Sequence, residues 1–326
     1  MFDLNVKEAI YTWYQKHGRH DLPWRQSDDA YKIYLSEIML QQTQVKTVLE
    51  RFYFPFLERF PTLQSVAEAP LDDILKMWEG LGYYTRAKNL HHTAITCEGV
   101  LPKTPEALSG LKGIGKSTAN AICAFAHHQA LPILDANVKR ILCRYFALDV
   151  KVENVLWEKA WKLLNEKHPY EHNQAMMDIG AALCTPKNPN CLACPLEFSC
   201  KGKSAPQNYP MPLKKAKIPT KKRFALIIEK EGKLGLIQRT ERLLHGLWGF
   251  IQSEECPKHA KSLGKVSHTY SHFKLELEAM IITCEDLHVK VDGYFTNEQI
   301  AKLALSTVDK KILALSTMMR NVALTS

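Results

Sequence analysis

Four cysteines fall in the seventeen-residue run CTPKNPNCLACPLEFSC, and their spacing constrains what this part of the chain can become. Cys184, Cys191, Cys194 and Cys200 are separated by six, two and five residues. The stretch between them carries Pro and Asn and no apolar period, so it has little core of its own, and a bound metal group would have to supply its folding energy. Zinc sites with four cysteine ligands usually show two short pairs, whereas here only Cys191 and Cys194 form one. The other five cysteines are scattered, and Cys123 and Cys143 fall in apolar helical stretches where a thiol packs as a small hydrophobe.

A second constraint is the run Leu111–Arg140, LKGIGKSTANAICAFAHHQALPILDANVKR. Gly113 and Gly115 flank a single Ile114, so the backbone can turn sharply there and leave N–H groups uncovered. An Ala-rich helix starts at once, with Ile122 and Phe125 on one face, and its free N-terminal N–H groups favour a phosphate. Taken alone, a glycine loop between two helices reads sooner as a plain connector. The helix is followed by LPILD, which delivers Asp135 to the position before the amphipathic helix ANVKRILCRYF. As an N-cap, Asp135 would accept N–H groups of that helix and be kept ionised, which suits stabilisation of developing positive charge.

Upstream, residues 5 to 18 pattern as an amphipathic helix, and RHDLPWRQSDDAYK breaks it at Pro23. Trp24 and Arg25 suit either stacking and phosphate contact or core packing and a surface charge. The next helix starts near Tyr31 and reads YKIYLSEIMLQQTQVKTVLERF, with Tyr31, Tyr34, Leu35, Ile38, Val45 and Leu49 on the 3.6-residue period. Glu37 sits just off that stripe among Ile33, Tyr34, Leu40 and Gln41, which would desolvate its carboxyl and raise its pKa. In WEGLGYYTRAKNLH, Gly80 and Gly82 form a turn that presents Tyr83 and Tyr84, followed by Arg86 and Lys88, a composition that suits either a core turn or a wedge into a duplex.

The segment GKSAPQNYPMPLKKAKIPTKK, with four prolines and six lysines, reads as a linker. Beyond it, RFALIIEKEGKLGLIQR is a strand hairpin about Glu-Gly, KLELEAMIITCE alternates like another strand, and TNEQIAKLALSTVDKKILALSTMMRNV is helical. The expected organisation is therefore a helical domain over 1–201, a linker over 202–221 and a small α+β domain over 222–326.

LKGIGKSTANAI with ILDANVKR resembles the helix-hairpin-helix and catalytic-aspartate segment of the endonuclease III superfamily of DNA glycosylases, and SEIMLQQTQV resembles the signature of its MutY-type adenine DNA glycosylases. The resemblance implies a mainly α, two-lobed helix-hairpin-helix domain with an iron–sulfur loop, followed by a Nudix-like domain that inspects the lesion. It implies Glu37 as catalytic acid, Asp135 as catalytic carboxylate, and Gln41 and Gln42 entering the DNA. Tyr83 of GLGYY would meet the damaged guanine opposite the target adenine. Arg25, Arg86, Gly113, Gly115, Lys116 and Ser117 would contact DNA, and Cys184, Cys191, Cys194 and Cys200 would hold a 4Fe-4S cluster. Tyr270, Ser271 and His272 of HTYSHFKLELEA match the lesion-inspecting loop, although the family commonly has Phe where Tyr270 stands, and LWGFI lacks the usual closing Pro. No REXXEE box is present, which argues against diphosphate hydrolysis. Bifunctional relatives attack the sugar with a Lys placed just before the hairpin Thr; here GIGKSTA puts Ser117 there, which implies a glycosylase without efficient strand cleavage.

Composition adds a supporting signal. A net charge of +9 favours a polyanionic partner, which the resemblance implies is double-stranded DNA bearing adenine opposite 8-oxoguanine or guanine. No apolar run approaches the roughly 20 residues of a membrane span, and a cytoplasmic monomer is expected. Two alternatives remain: an endonuclease III-like enzyme for oxidised pyrimidines, and a non-catalytic DNA-binding iron–sulfur protein.

Overall fold

The computed structural model describes residues 2–149, 151–211, 217–256, 260–282 and 290–325. The chain divides into two compact units, 1–67 with 92–214 and 68–91 with 215–326.

The first unit is helical. Its larger core joins Val6, Ile10 and Tyr14 of the helix Phe2–His17 to Val138, Ile141 and Leu142 of Ala136–Phe146, with Met176 and Ile179 of Pro169–Ala182. Each such side chain contributes about 1.5–3 kcal/mol on burial. A smaller cluster of Ile33, Ala121, Ala124, Phe125 and Ile133 packs the helix Ala30–Leu40 against Lys116–Ala126. That contact sets the helix bearing Glu37 beside the one that leads to Asp135. Asp29 starts Ala30–Leu40 by accepting the N–H of Tyr31 at 2.8 Å.

One expectation changes here. The periodic stretch from Tyr31 is not one helix but two, Ala30–Leu40 and Val45–Arg51. The break lies at Gln42, which takes a left-handed φ of +59° and is exposed. Neither Gly nor Pro marks that position, so the apolar period runs through the break unaltered.

The first part of the expected linker is docked on this unit. The Arg144 guanidinium, buried, donates to the carbonyls of Thr185 at 2.7 Å, Pro206 at 2.8 Å and Pro186 at 3.1 Å, and the Met211 N–H bonds Asp149 at 2.8 Å. Residues 212–216 of the linker lie outside the described residues.

The second unit holds a mixed sheet with seven strands among the described residues: β1 Thr220–Lys230, β2 Lys233–Gln238, β3 Trp248–Gly249, β4 Ile251–Ser253, β5 Lys261–Thr269, β6 Lys274–Ile282 and β7 Gly293–Phe295. The order is β3-β2-β1-β6-β5, with β4 on β1 and β7 on β2; only the β1–β6 pairing is parallel. The β1–β2 turn is the expected Glu-Gly pair, with φ +53° at Glu231 and +76° at Gly232, the two positive values that match strand twist. In β6 Leu275, Leu277 and Ala279 face the core, and Glu276 and Glu278 alternate with them.

The helical tail is again two pieces, Asn297–Lys302 and Thr307–Thr325. At the head of the second, Asp309 is fully buried; it accepts from Arg239 at 2.8 Å and from the Phe250 N–H at 3.0 Å. Residues 68–91 pack with this unit, although the sequence places them inside 1–201. Lys76 donates to the Leu303 carbonyl at 2.9 Å, and Glu79 accepts the Leu305 N–H at 2.9 Å.

Candidate active site

In the helical unit a pocket of about 200 Å³ collects Glu37, Asp135, Arg25, Asn137, Gln174 and Phe125 among its walls. Glu37 keeps part of its surface open to this space, yet protein crowds it on every side, and burial raises its pKa to about 7. The Asp135 charge adds to the rise, and Arg25 opposes it. Glu37 is therefore poised to carry a proton near neutral pH.

Asp135 caps Ala136–Phe146, taking the Val138 N–H at 2.7 Å and the Asn137 amide at 3.3 Å. The expected capping role holds, and burial works against it. Burial raises its pKa and outweighs the Val138 and Asn137 N–H groups and Arg140, all of which lower it. Two carboxyls thus share one enclosed space, and ionisation of one opposes ionisation of the other.

Two further groups complete the pocket. The Oε1 of Gln174 and the Nε–H of Arg25 are buried and have no hydrogen-bond partner. An unpaired buried acceptor and donor each cost about 1–3 kcal/mol, and both residues stand in the pocket wall beside Glu37. Gln174 carries no signal in HNQAMMDIG, because its role depends on which helix face the fold turns inward. Arg25, expected on phosphate, has a side chain only 3% exposed, and Asp178 holds both ends of its guanidinium at 2.8 Å. Trp24 packs in the core, edge-on to Tyr53 at 5.1 Å.

The glycine hairpin forms as read. Gly113 takes φ +83°, and Gly115 caps Lys116–Ala126 with no atom within 4 Å of where a Cβ would stand. The exposed Lys116 ammonium lies over the Trp157 ring at 4.3 Å, and the Ser117 hydroxyl accepts the Leu134 N–H at 3.1 Å. Neither side chain lines the carboxyl pocket. Gln41 follows the helix of Glu37, and Gln42 projects at the exposed left-handed position.

In the second unit a cavity of about 350 Å³ brings together Tyr83, Lys88, Arg242, His245 and the loop Tyr270–Ser271–His272. Tyr83 is 47% exposed at φ +48°, a strained conformation for a non-glycine residue. Ser271 and His272 are exposed and within 3.3 Å of each other, and Tyr270 stacks on Phe273 at 4.8 Å. Arg86, expected on DNA, is turned inward instead. It donates to the Gly82 carbonyl at 3.1 Å, lies between the Trp78 and Tyr83 rings, and burial lowers its pKa to about 10. It shapes the tyrosine turn from beneath. Arg242 and His245 were not singled out in the sequence, where LLHGLWGF shows only turn character.

Cys184, Cys191, Cys194 and Cys200 all line one pocket. Among the described residues no three His, Cys, Asp or Glu side chains form a ready single-ion site. The donor chemistry fits a thiolate-bound group: Arg144 points Nη1 at the Cys184 sulfur at 3.3 Å, and backbone N–H groups of Leu196 and Gly202 bond to Cys194 and Cys200. Lys203 pairs with Glu197 at 2.6 Å.

This hairpin-and-carboxylate arrangement belongs to a defined class. The family described as HhH-GPD superfamily base excision DNA repair protein matches residues 35–166, and the NUDIX domain family matches residues 223–315. A solved thermostable thymine-DNA glycosylase is 27% identical and overlays with a TM-score of 0.58, covering 62% of this chain and 96% of that one. An endonuclease III–DNA complex, 17% identical, shares the fold at a TM-score of 0.52 over 61% of this chain and 93% of that one. Adenine DNA glycosylase of Buchnera aphidicola subsp. Schizaphis graminum is 37% identical over 84% of this chain and 86% of that protein. The Homo sapiens adenine DNA glycosylase is 31% identical over 93% of this chain and 72% of its own length. The chain belongs to the adenine DNA glycosylase family.

Proposed function

We propose that this enzyme removes adenine mispaired with 8-oxoguanine, and also with guanine, from double-stranded DNA by hydrolysing the N-glycosidic bond. The observation that carries the reading is the pocket that collects Glu37 and Asp135 with Gln174 and Arg25 in its walls. Adenine offers an amino donor and ring-nitrogen acceptors to such a pair, and it must leave the stack to reach them. Glu37, protonated near pH 7, donates to N7 and makes the base a neutral leaving group. Asp135, ionised, stabilises the oxocarbenium-like sugar or bonds to it transiently before water adds, the division of labour used in sugar hydrolysis.

Gly113, Gly115 and the N-terminus of Lys116–Ala126 bind a phosphate, and the exposed Gln42, with Tyr83, fills or wedges the duplex. Tyr270, Ser271 and His272 read the base opposite. The four cysteines would hold a 4Fe-4S cluster, whose thiolate bonds fold the loop they span. The chain acts as a cytoplasmic monomer.

The test replaces Gln174 with Leu and compares excision of adenine with excision of purine, which lacks the amino group, both opposite 8-oxoguanine. Loss of about tenfold or more on adenine with purine unaffected is expected. Equal loss on both bases would remove Gln174 from adenine recognition.

A further inference from the structure

Asp178 plays no part in the mechanism so far, yet it is the partner of Arg25, a cation that bears on Glu37. Its side chain is 3% exposed, and it is held by Arg25 at 2.8 Å through both guanidinium ends and by Arg19 through Nε at 2.8 Å and its own backbone N–H at 2.9 Å. These donors hold the carboxyl below the ordinary aspartate range despite burial, so it is charged throughout the working range. We propose that Asp178 is a positioning residue for the excision reaction: by anchoring Arg25 and offsetting its charge, it keeps Glu37 in its protonated form at neutral pH.

The proposal rests on Glu37 being the acid. The charged groups in the walls of its pocket are few. Arg25 comes from the turn Pro23–Arg25, Arg19 from the segment before it, and Asp135 from the cap of Ala136–Phe146. Lys116–Ala126 offers only Phe125, Val45–Arg51 only Val45, and Pro169–Ala182 only Gln174, Met177 and Ala181, with Asp178 behind them. An unopposed guanidinium beside a carboxyl lowers its pKa by about 1–3 units. Such a drop would leave Glu37 ionised at pH 7 and unable to donate. Bidentate pairing to a buried carboxylate fixes where the Arg25 charge sits and cancels much of its field.

The proposal predicts opposite effects from the two members of one ion pair. In single-turnover excision across pH 5 to 9, the wild-type rate falls above the Glu37 pKa. In Asp178→Asn this fall begins about one pH unit lower, because Arg25 is no longer offset, and in Arg25→Met it begins higher, because the cation is gone. Asp178→Glu keeps the wild-type position. If Asp178→Asn does not fold alone, the double variant Arg25→Met/Asp178→Asn decides: with the cation gone, loss of Asp178 should leave the fall where Arg25→Met puts it, and a further shift would overturn the proposal. A purely structural Asp178 would lower the rate or the stability with the fall unmoved, and that result overturns the proposal. A wild-type protein that releases no adenine at any pH would instead overturn the proposed function.

Discussion

The Leu134 N–H donates to the Ser117 hydroxyl at 3.1 Å, tying the hairpin helix to the chain one residue before Asp135. Ser117 is therefore a strut that fixes the distance from the glycine turn to Asp135. The neighbouring Lys116 amine is drawn away over Trp157 at 4.3 Å. No amine faces the pocket from this hairpin, so attack on the sugar to give an iminium has no nucleophile there. Borohydride treatment during excision should trap little covalent adduct, and product strands should stay intact until alkali is added. Efficient Lys116-dependent trapping with nicking in neutral buffer would contradict this.

Glu37→Gln should cost about 10²–10⁴-fold in excision, the usual contribution of a general acid, with DNA binding retained because the side-chain volume is unchanged. Asp135→Asn should abolish excision likewise. The wild-type pH dependence follows from the direction of the Glu37 shift. The protonated form is active and persists below its pKa of about 7, so the rate should hold at lower pH and fall roughly tenfold per unit above that value. A rate that rises from pH 7 to 9 would exclude Glu37 as the acid.

The purified chain should be brown, and Cys194→Ala should lose the colour and much of its solubility, since one of four thiolates on the loop is gone. Stoichiometric zinc without iron in protein purified anaerobically would overturn the cluster assignment.

In the second unit, Asp309→Ala should destabilise the fold by about 3–5 kcal/mol, because it leaves the buried Arg239 guanidinium and the Phe250 N–H without their partner. The effect is read as a shift of the urea transition to lower concentration. An unchanged transition would mean that Arg239 finds another partner.

Much of this was legible in the sequence for local reasons. Asp135 is a good cap residue just ahead of an amphipathic helix, Gly113 and Gly115 sit where the turn needs them, and Glu-Gly marks the β1–β2 hairpin. What sequence could not show depends on tertiary packing. Arg25 and Arg86 look like surface cations until Asp178 and the Gly82 carbonyl take them. Gln174 and Asp309 are ordinary helix residues until their faces turn inward. The break at Gln42 is hidden because the apolar period continues across it. That burial outweighs the cap and raises the Asp135 pKa was hidden too, since pattern alone does not reveal how deeply the carboxyl is buried.

Recognition of the opposite base should map to point substitutions around the cavity of Tyr83 and Tyr270–Ser271–His272. Deleting 222–326 is a blunter tool, because it also strips Lys76 and Glu79 of their partners at Leu303 and Leu305. Ser271→Ala with His272→Ala should leave adenine excision in place and narrow the preference for 8-oxoguanine over guanine opposite. An unchanged preference would take this loop out of recognition.

The most direct measurement is single-turnover release of free base by the full-length protein from duplexes carrying adenine opposite 8-oxoguanine, guanine or thymine, alongside a duplex with an oxidised pyrimidine. Adenine should be released fastest opposite 8-oxoguanine, more slowly opposite guanine, and not opposite thymine, with the pyrimidine untouched. Release of the oxidised pyrimidine, or no base released from any duplex, would contradict the account.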